Sequence, residues 1–197
     1  MRLIGGRWKR SKLPVLDKPG LRPTPDRVRE TLFNWLGQDL TGLRVLDAFA
    51  GSGALGFEAA SRGAQQVLLL EQDAVLIRSL RDSVARLGGQ ASIEVKPGEA
   101  LSWMRSAASA GERFDLIFLD PPFNACLFDQ ALAAALRLLA DGGLLYLEAD
   151  LEFVAASLPP SLAVWRHARA GQVHYHLLRQ SPANDHLSRP SSDRSAP

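Results

Sequence analysis

Short apolar runs alternate with longer amphipathic segments over most of the chain, from Leu43 to Ala149. The short runs predict strands at 44–49, 66–70, 92–96, 113–119 and 143–149. In the longer segments apolar residues recur at helical spacing, which predicts helices at 53–62, 73–87, 99–108 and 127–139. This alternation is typical of βα units, whose parallel strands are buried between helical layers. The chain is therefore predicted to be an α/β protein with a doubly wound, mostly parallel sheet.

A further helix is predicted before these units and a hairpin after them. Thr24-Pro25-Asp26 has the residues of a helix start, with Thr24 as the N-cap and Pro25 at the first helical position. The apolar spacing continues to Leu36, and Gly37 suits the end of the helix. Strand-like segments at 162–167 and 172–178 lie close enough together to form a hairpin. We therefore expect an antiparallel pair of strands at one edge of the sheet.

Charge is spread unevenly along the chain. The 197 residues are 46% hydrophobic, which is enough for one domain with a buried core, and the net charge is only +2. Residues 1–29 carry nine Lys or Arg against Asp17 and Asp26, so the remainder of the chain is net acidic. A basic arm on an acidic body indicates a polyanionic partner. Apolar residues within the arm, such as Leu3 and Leu13, predict short strands in it.

Several classes of protein are disfavoured by composition. Cys126 is the only cysteine, which excludes an intrachain disulfide and a cysteine-based zinc site. We expect no metal. No signal-peptide core or long apolar span is visible, so we expect a cytoplasmic protein that does not contact a membrane. Residues 181–197 are rich in Ser, Pro, Asp and Arg and are predicted to be a disordered tail.

A glycine-rich turn follows the first predicted strand. Gly51-Ser52-Gly53-Ala54-Leu55-Gly56 fits G-x-G-x-x-G between a strand and a helix. Its glycines let the backbone approach a nucleotide-like cofactor closely, beside a helix N-terminus. Glu71, at the end of the second strand, can accept hydrogen bonds from two ribose hydroxyls. Enzymes that bind NAD share this spacing, so these residues alone do not identify the cofactor.

Asp47 favours one cofactor over the other. A carboxylate beside the glycine turn repels a pyrophosphate but suits the positively charged amino-acid end of S-adenosylmethionine. After the third strand, Glu99 in Pro97-Gly98-Glu99 is placed to read an adenine amino group. The sequence thus points to S-adenosylmethionine, with Asp47, Gly51, Gly53, Glu71 and Glu99 as cofactor-binding candidates and Phe49 in the same turn.

A second motif, Asp120-Pro121-Pro122-Phe123, follows the apolar run 114–119. Two consecutive prolines end a strand abruptly and leave a rigid corner. There the Asp120 carboxylate and the Pro121 carbonyl can accept both hydrogens of an exocyclic amine, and Phe123 can stack on the base. Such acceptors aim the amine lone pair at a methyl sulfonium, so positioning supplies much of the catalysis. These four residues are the predicted catalytic group of an amino-methyltransferase.

The chain resembles the bacterial 16S ribosomal RNA (guanine-N2)-methyltransferases. The resemblance runs from Met1 to about Gln180. The motifs that carry it are 2–8, 21–36, 49–56, Asp120-Pro121-Pro122-Phe123 and Gly171-Gln172-Val173. The chain departs from the family pattern at Glu99, where Asp or Asn is commoner, and in its extended tail after Gln180.

The resemblance implies a class I methyltransferase sheet of seven strands and a guanine in 16S rRNA, of the position-966 type, as substrate. It implies a basic arm with a short hairpin at 1–23, a methyltransferase domain at 24–180 and a tail at 181–197. Arg22 and Arg27 are implied to contact phosphate or the cofactor carboxylate, and Thr24 to line the pocket. The expected RNA-binding residues are Arg7, Trp8, Lys9, Arg10 and Arg22. We expect a monomer acting on the assembled or nearly assembled small ribosomal subunit.

Three alternatives stay open at this point. A DNA adenine-N6 methyltransferase shares the Asp-Pro-Pro-aromatic corner, although this chain has no room for a separate target-recognition domain. A non-catalytic RNA-binding assembly factor would retain the cofactor pocket as a vestige. An NAD oxidoreductase would leave the corner at Asp120 without a role.

Overall fold

Helices and strands alternate along the chain in the predicted order. A computed structural model describes residues 1–16, 18, 24–121, 125–149 and 158–180. The helices of this described part are α1 (Asp26–Leu36), α2 (Ala54–Ser61), α3 (Ala74–Leu87), α4 (Ala100–Ser109) and α5 (Ala125–Leu136). Its strands are β1 (Arg44–Asp47), β2 (Gln66–Glu71), β3 (Ile93–Pro97), β4 (Phe114–Leu119), β5 (Leu139–Ala149), β6 (Leu162–Ala170) and β7 (Val173–Gln180).

The seven strands of the described chain form one sheet in the order β3-β2-β1-β4-β5-β7-β6. The first five are mutually parallel, whereas β7 runs antiparallel to both β5 and β6. The predicted class I methyltransferase fold, with its doubly wound sheet and C-terminal antiparallel hairpin, is confirmed. The order reverses at β1, which pairs with β2 on one side and with β4 on the other.

Helices cover both faces of the sheet, which explains why the parallel strands are apolar almost throughout. On one face α1, α2 and α3 pack around a cluster that includes Val45, Phe118 and Tyr146. On the other, α4 and α5 pack around a cluster that includes Ile117 and Leu145. Alternate residues of one strand thus enter different cores, because side chains in a strand point to opposite faces in turn.

Several predicted boundaries are wrong by one to four residues, and three of them have a clear physical reason. The N-cap of α1 is Pro25, not Thr24, and its side chain makes no capping bond. Helix α5 ends at Leu136 rather than at 139, because Leu139 already pairs with Phe114 of β4. The register then shifts before Leu144, so the turn residues predicted ahead of β5 are an irregularity inside it. Long-range pairing overrides the local turn signal here.

Residues 1–16 of the basic arm are packed against the body of the protein. Arg2 and Lys12 form an antiparallel bridge, and Leu3 and Leu13 are buried in the same core as α1. The backbone N–H of Arg7 donates to the Ser61 carbonyl at 2.7 Å, at the end of α2. The arm therefore holds a defined position on the sheet's helical layer.

A buried carboxylate anchors the start of this arm. Both oxygens of Glu58 on α2 accept arm backbone N–H groups, from Ile4 at 2.8 Å and Gly5 at 2.7 Å. Glu58 also pairs with Arg62 at 2.9 Å and lies 3.6 Å from the buried guanidinium of Arg29. Buried charges are tolerated when they are paired and hydrogen-bonded. This cluster joins α1, α2 and the arm.

Candidate functional site

The candidate site lies at the carboxyl ends of the parallel strands, where the strand order reverses. In open α/β sheets ligands bind in the crevice at such a reversal. Here the reversal separates the ends of β1 and β4, whose residues Asp47 and Phe118 are register partners. The backbone N–H of Ala48 still donates to the Phe118 carbonyl at 3.1 Å. The glycine loop and the described start of the second motif, at Asp120, are therefore adjacent in space.

The glycine loop leaves β1 in a conformation that requires glycine. Gly51 and Gly53 have φ values of 53° and 76°, in the left-handed region. A Cβ on Gly53 would lie 2.6 Å from the Phe57 ring, so a larger residue would also clash. The N–H of Ala50 donates to the Leu70 carbonyl at 2.9 Å, which ties the loop to β2.

Glu71 holds this loop from the neighbouring strand. Its Oε2 accepts from the Gly51 N–H at 2.9 Å, and its Oε1 accepts from the N–H groups of Gln72 and Asp73, both at 2.9 Å. A carboxylate has about four lone-pair positions, so capacity remains for a further donor such as a ribose hydroxyl. The predicted ribose contact stays a prediction. The structural role of Glu71, which holds the glycine loop through its backbone N–H groups, was not predicted from the sequence.

Asp47 is a buried acid that ties the end of β1 to the first turn of α2. It is 4% exposed, and its Oδ2 accepts from the Gly56 N–H at 3.0 Å. A Cβ on Gly56 would lie 2.2 Å from Leu69 and 3.1 Å from that oxygen, so glycine is needed for the approach. Burial raises the pKa of Asp47 to about 7, the Gly56 hydrogen bond opposes the rise, and the charge of Glu71 adds to it.

Glu99 is the N-cap of α4. Its carboxylate accepts from the N–H groups of Leu101 at 2.9 Å and Ser102 at 2.6 Å. The preceding Gly98 donates its N–H to the Glu71 carbonyl at 2.9 Å, which brings the Glu99 turn beside the end of β2. A Glu side chain that caps a helix has a structural reason to be there. Its predicted contact with adenine stays a prediction.

The predicted catalytic corner is described only in part. Asp120 is half-buried and directly follows β4, and Pro121 is buried. Pro122 and Phe123 lie outside the described residues. Among the other predicted cofactor residues, Thr24 is buried, Arg27 is exposed on α1, and Phe49 packs against the α4–α5 core.

Some of the predicted RNA-binding residues make contacts within the protein, and others are exposed. Arg7 donates to the Ser92 hydroxyl at 2.7 Å, and its guanidinium lies 4.1 Å above the Trp8 ring. Trp8 is half-buried against Gly89. Lys9 and Arg10 are exposed, and Arg22 lies outside the described residues.

Sequence reasoning missed a buried pair beside the corner. Tyr146 on β5 donates its hydroxyl to Oε1 of Glu148 at 2.8 Å, and both residues are buried. The available signal was the acid at the end of the predicted fifth strand. The four neighbouring strands in the middle of the sheet, β2, β1, β4 and β5, each end at or beside a carboxylate. These are Glu71, Asp47, Asp120 and Glu148 respectively.

The donor set of the site fits S-adenosylmethionine better than a dinucleotide. The Gly51 N–H, which would otherwise face a phosphate, is bonded to Glu71, and the Gly56 N–H is bonded to Asp47. Two carboxylates at the loop oppose an anionic ligand and suit a cationic one that also carries hydroxyls. Residues 1–16, 18, 24–121, 125–149 and 158–180 contain no cluster of His, Cys, Asp and Glu suited to a metal ion. Fold and site together define a class I S-adenosylmethionine-dependent methyltransferase.

Comparison with known proteins identifies the family. The family model described as "Conserved hypothetical protein 95" matches residues 1–179. Ribosomal RNA small subunit methyltransferase D of Escherichia coli is 41% identical over 182 residues, covering 91% of this chain and 90% of the relative. Its namesake from Haemophilus influenzae is 38% identical and covers 91% of this chain and 93% of that relative. The chain belongs to this family.

A solved structure agrees with this assignment. A putative methyltransferase from Escherichia coli superposes with a TM-score of 0.79 at 40% sequence identity. The match covers 91% of this chain and 97% of that protein. The resemblance inferred from the motifs is therefore confirmed at the level of sequence family and of fold.

Proposed function

We propose that this chain transfers a methyl group from S-adenosylmethionine to the exocyclic N2 of one guanine in 16S rRNA, of the position-966 type. The observation that carries the proposal is the adjacency of two motifs across the strand reversal. The glycine loop, held by Asp47 and Glu71, lies next to the strand end that carries Asp120. The names of the curated relatives support RNA of the small subunit as the substrate class.

The cofactor would be held by the loop after β1 and the carboxylates around it. Glu71 would accept from the ribose hydroxyls, and Asp47 would face the positively charged amino-acid end. When bound, S-adenosylmethionine supplies a methyl group on a sulfonium, which departs from the methyl carbon as a neutral thioether. The hydrogen bond from Gly56 to Asp47 is present without a ligand, so the first turn of α2 is already fixed against the end of β1.

The target amine would be held by the strand end after β4. The Asp120 carboxylate and the Pro121 carbonyl would accept its two hydrogens, so that the nitrogen lone pair points toward the cofactor loop. Asp120 then takes the proton that N2 loses once the new N–C bond has formed. Because positioning provides much of the rate enhancement, Asp120 does not need to be a strong base. Phe123 would stack on the guanine ring.

The basic arm would contact the RNA backbone. Lys9 and Arg10 are exposed on an arm whose backbone is bonded to the end of α2, so their charges are presented from a fixed position. Such contacts position a substrate without reading its sequence. Within the described residues, no helix is long and apolar enough to span a membrane. We propose a monomer acting in the cytoplasm on the small ribosomal subunit.

Transfer of labelled methyl groups tests this function. The substrates are unmodified small subunits, naked 16S rRNA and plasmid DNA, and Asp120→Ala is assayed beside the parent protein. We expect label in 16S rRNA that is released as N2-methylguanosine on digestion, with the variant slower by orders of magnitude but still able to bind cofactor. Full activity of the variant would show that the role given to Asp120 is wrong.

The same experiment separates the alternatives. Label recovered from DNA as N6-methyladenine would replace the proposal with DNA methylation. Tight cofactor binding with no label in any substrate would favour a non-catalytic assembly factor. Thermal stabilisation by NAD but not by S-adenosylmethionine would point to an oxidoreductase.

A further inference from the structure

Lys18 of the basic arm contacts the rim of the candidate cofactor site. Its ammonium group donates a hydrogen bond to Oδ2 of Asp73, which lies 55 positions further along the chain. Asp73 is the second residue after Glu71, the acid at the end of β2 that holds the glycine loop. Besides its packing on α2, the arm is therefore attached to the strand end at which the cofactor ribose is proposed to bind.

A chain of hydrogen bonds leads from Lys18 to the glycine loop. Lys18 donates to Asp73, and the backbone N–H of Asp73 donates to Oε1 of Glu71 at 2.9 Å. The other oxygen of Glu71 accepts from the Gly51 N–H at 2.9 Å. Contiguous contacts of this kind can carry an energetic coupling between two binding sites. They connect the part of the chain proposed to hold RNA with the part proposed to hold the cofactor.

Asp73 is a fixed point to which the arm can attach. It is the N-cap of α3, and its Oδ1 accepts from the N–H groups of Val75 at 2.9 Å and Leu76 at 3.0 Å. One oxygen thus caps the helix while the other accepts from Lys18. The Lys18 hydrogen bond, followed by that of Leu76, lowers the pKa of Asp73 below its ordinary value. Asp73 is therefore ionised at neutral pH and is held in place by α3 even when Lys18 is not bound to it.

The ion pair between Lys18 and Asp73 is partly open to water. Their side chains are 29% and 38% exposed. An exposed ion pair stabilises a protein little, because water competes for both charges and two flexible side chains must be ordered. Such a pair forms and breaks easily, so a ligand that holds either partner in place shifts the balance toward the paired state. RNA on the arm would hold Lys18, and a cofactor on Glu71 would hold the turn that carries Asp73.

We propose that Lys18 is a positioning residue that makes the binding of S-adenosylmethionine and the binding of RNA cooperative. RNA bound to the arm keeps Lys18 on Asp73, and this restrains the turn that orients Glu71 toward the ribose. By thermodynamic reciprocity the cofactor raises the affinity for RNA by the same factor. This inference rests on the function proposed above and adds a regulation of the same site. The cofactor is held most tightly when the substrate is present.

Equilibrium dialysis of labelled S-adenosylhomocysteine, with and without saturating unmodified small subunits, measures this cooperativity. The ratio of the two affinities is the coupling factor. S-adenosylhomocysteine lacks the sulfonium charge, so a change in its affinity reports positioning rather than the removal of a nearby positive charge. The parent protein is compared with Lys18→Met, Lys18→Arg and Lys12→Met. Lys12 is exposed on the same arm, so its replacement is a control that removes the same charge.

We expect a coupling factor above one in the parent protein and a factor about two- to fivefold smaller in Lys18→Met, the range that an exposed ion pair can supply. Lys18→Arg keeps the ion pair and should restore most of the coupling. Lys12→Met should leave the coupling factor unchanged even where it weakens RNA binding. Equal coupling factors in the parent and in Lys18→Met, or a loss of the same size in Lys12→Met, would overturn the inference.

Asp73→Asn tests the same contact from the other side. Asn caps a helix about as well as Asp does, so α3 is preserved while the charge that holds Lys18 is lost. We expect this variant to reduce the coupling factor as much as Lys18→Met, and the double variant to reduce it no further, because both residues act through one contact. Additive losses contradict the assignment. A parent protein that binds no S-adenosylhomocysteine refutes the proposed function itself, whereas equal affinity with and without subunits refutes this inference alone.

Discussion

The carboxylate of Glu71 accepts a hydrogen bond from the Gly51 backbone N–H at 2.9 Å, which joins the end of β2 to the glycine loop after β1. Its other oxygen accepts from two further backbone N–H groups, those of Gln72 and Asp73. One side chain thus sets the shape of the loop and of the turn into α3. Only a carboxylate can accept on both oxygens, because the nitrogen of an amide is a donor.

Replacement of Glu71 by Gln should weaken cofactor binding more than it weakens the fold. The amide nitrogen of Gln cannot accept a hydrogen bond, so either the Gly51 N–H or the N–H groups of Gln72 and Asp73 lose their acceptor. We expect this to lower the free energy of unfolding by about 1–2 kcal/mol, because the site is partly exposed. Disorder in the loop should reduce the affinity for S-adenosylhomocysteine by at least about tenfold. Denaturant unfolding and titration calorimetry measure the two effects. Glu94→Gln on β3, an exposed acid, is the control and should change neither, whereas unchanged affinity in Glu71→Gln would remove Glu71 from the site.

Asp47 should make the protein less stable as pH rises. Its pKa is raised from 3.8 in the unfolded chain to about 7 in the fold, so between these values the folded state binds the extra proton. The free energy of unfolding therefore falls as pH rises through this window and levels off above about pH 7. Asp47→Asn can still accept from Gly56 and should gain about 1–4 kcal/mol over the parent between about pH 4 and about pH 8. Urea unfolding across this range is the measurement, and parallel pH profiles for the two proteins would contradict it.

The affinity for the cofactor should rise with pH, in contrast to the stability, and Asp47 should again be the cause. The positively charged amino-acid end of the ligand favours ionised Asp47, so binding releases a proton when Asp47 is protonated in the free protein. We expect the affinity for S-adenosylhomocysteine to rise roughly tenfold from about pH 6 to about pH 8, because the ionised fraction rises by that factor. Asp47→Asn should bind more weakly and lose this rise, while titration of the ligand itself affects both proteins equally. A rise of the same size in the variant would assign the effect to the ligand.

Alanine substitutions at two glycines can separate the cost of a left-handed backbone from the cost of a steric clash between the arm and α2. Gly6 and Gly142 have nearly equal φ values, 71° and 73°. A Cβ at Gly6 would lie 1.8 Å from the Ser61 carbonyl oxygen, whereas a Cβ at Gly142 meets nothing within 4 Å. Both Ala variants incur the cost of a left-handed residue, about 1 kcal/mol, but only Gly6→Ala must also move the arm off α2. We expect Gly6→Ala to unfold at clearly lower denaturant concentration than Gly142→Ala, and equal midpoints would show that the arm does not pack as described.

Charge reversal on the arm should weaken RNA binding and its dependence on salt. Lys9 and Arg10 are exposed, so a double change to Glu alters charge with little effect on packing. Each phosphate contact that is lost should reduce the slope of log affinity against log salt by about 0.7–0.9. A double change of Arg166 and Arg169 to Glu, both exposed on β6 at one edge of the sheet, is the control that alters the net charge by the same amount. The measurement is filter binding to 16S rRNA at several salt concentrations. An unchanged slope of log affinity against log salt in the double variant would exclude Lys9 and Arg10 as RNA contacts.

The order of elements was readable from local features of the chain. Helical spacing of apolar residues, short apolar runs, glycines at tight turns and the paired prolines after β4 each act over a few residues, so they specify helices, strands and turns without knowledge of the fold. The same features identified Asp47, the glycine loop and the corner at Asp120 as chemically meaningful. The weakest points were boundaries, such as the start of β5, where pairing of Leu139 with Phe114 outweighs a local turn signal.

Tertiary structure decided how the acids at the strand ends are used. Glu71 and Gly51 are 20 residues apart, and Asp120 lies beside the strand of Glu148 only because β5 pairs with β4. Burial is likewise a property of the assembled sheet, and it raises the pKa of Asp47 to about 7 and shields the hydrogen bond between Tyr146 and Glu148 from water. The sequence by itself determined which groups are available and where the chain turns, because those depend on local chemistry. Only the fold determined which carboxylate is shielded, which is bonded to backbone and which faces another, because these depend on strand order and on the exclusion of water.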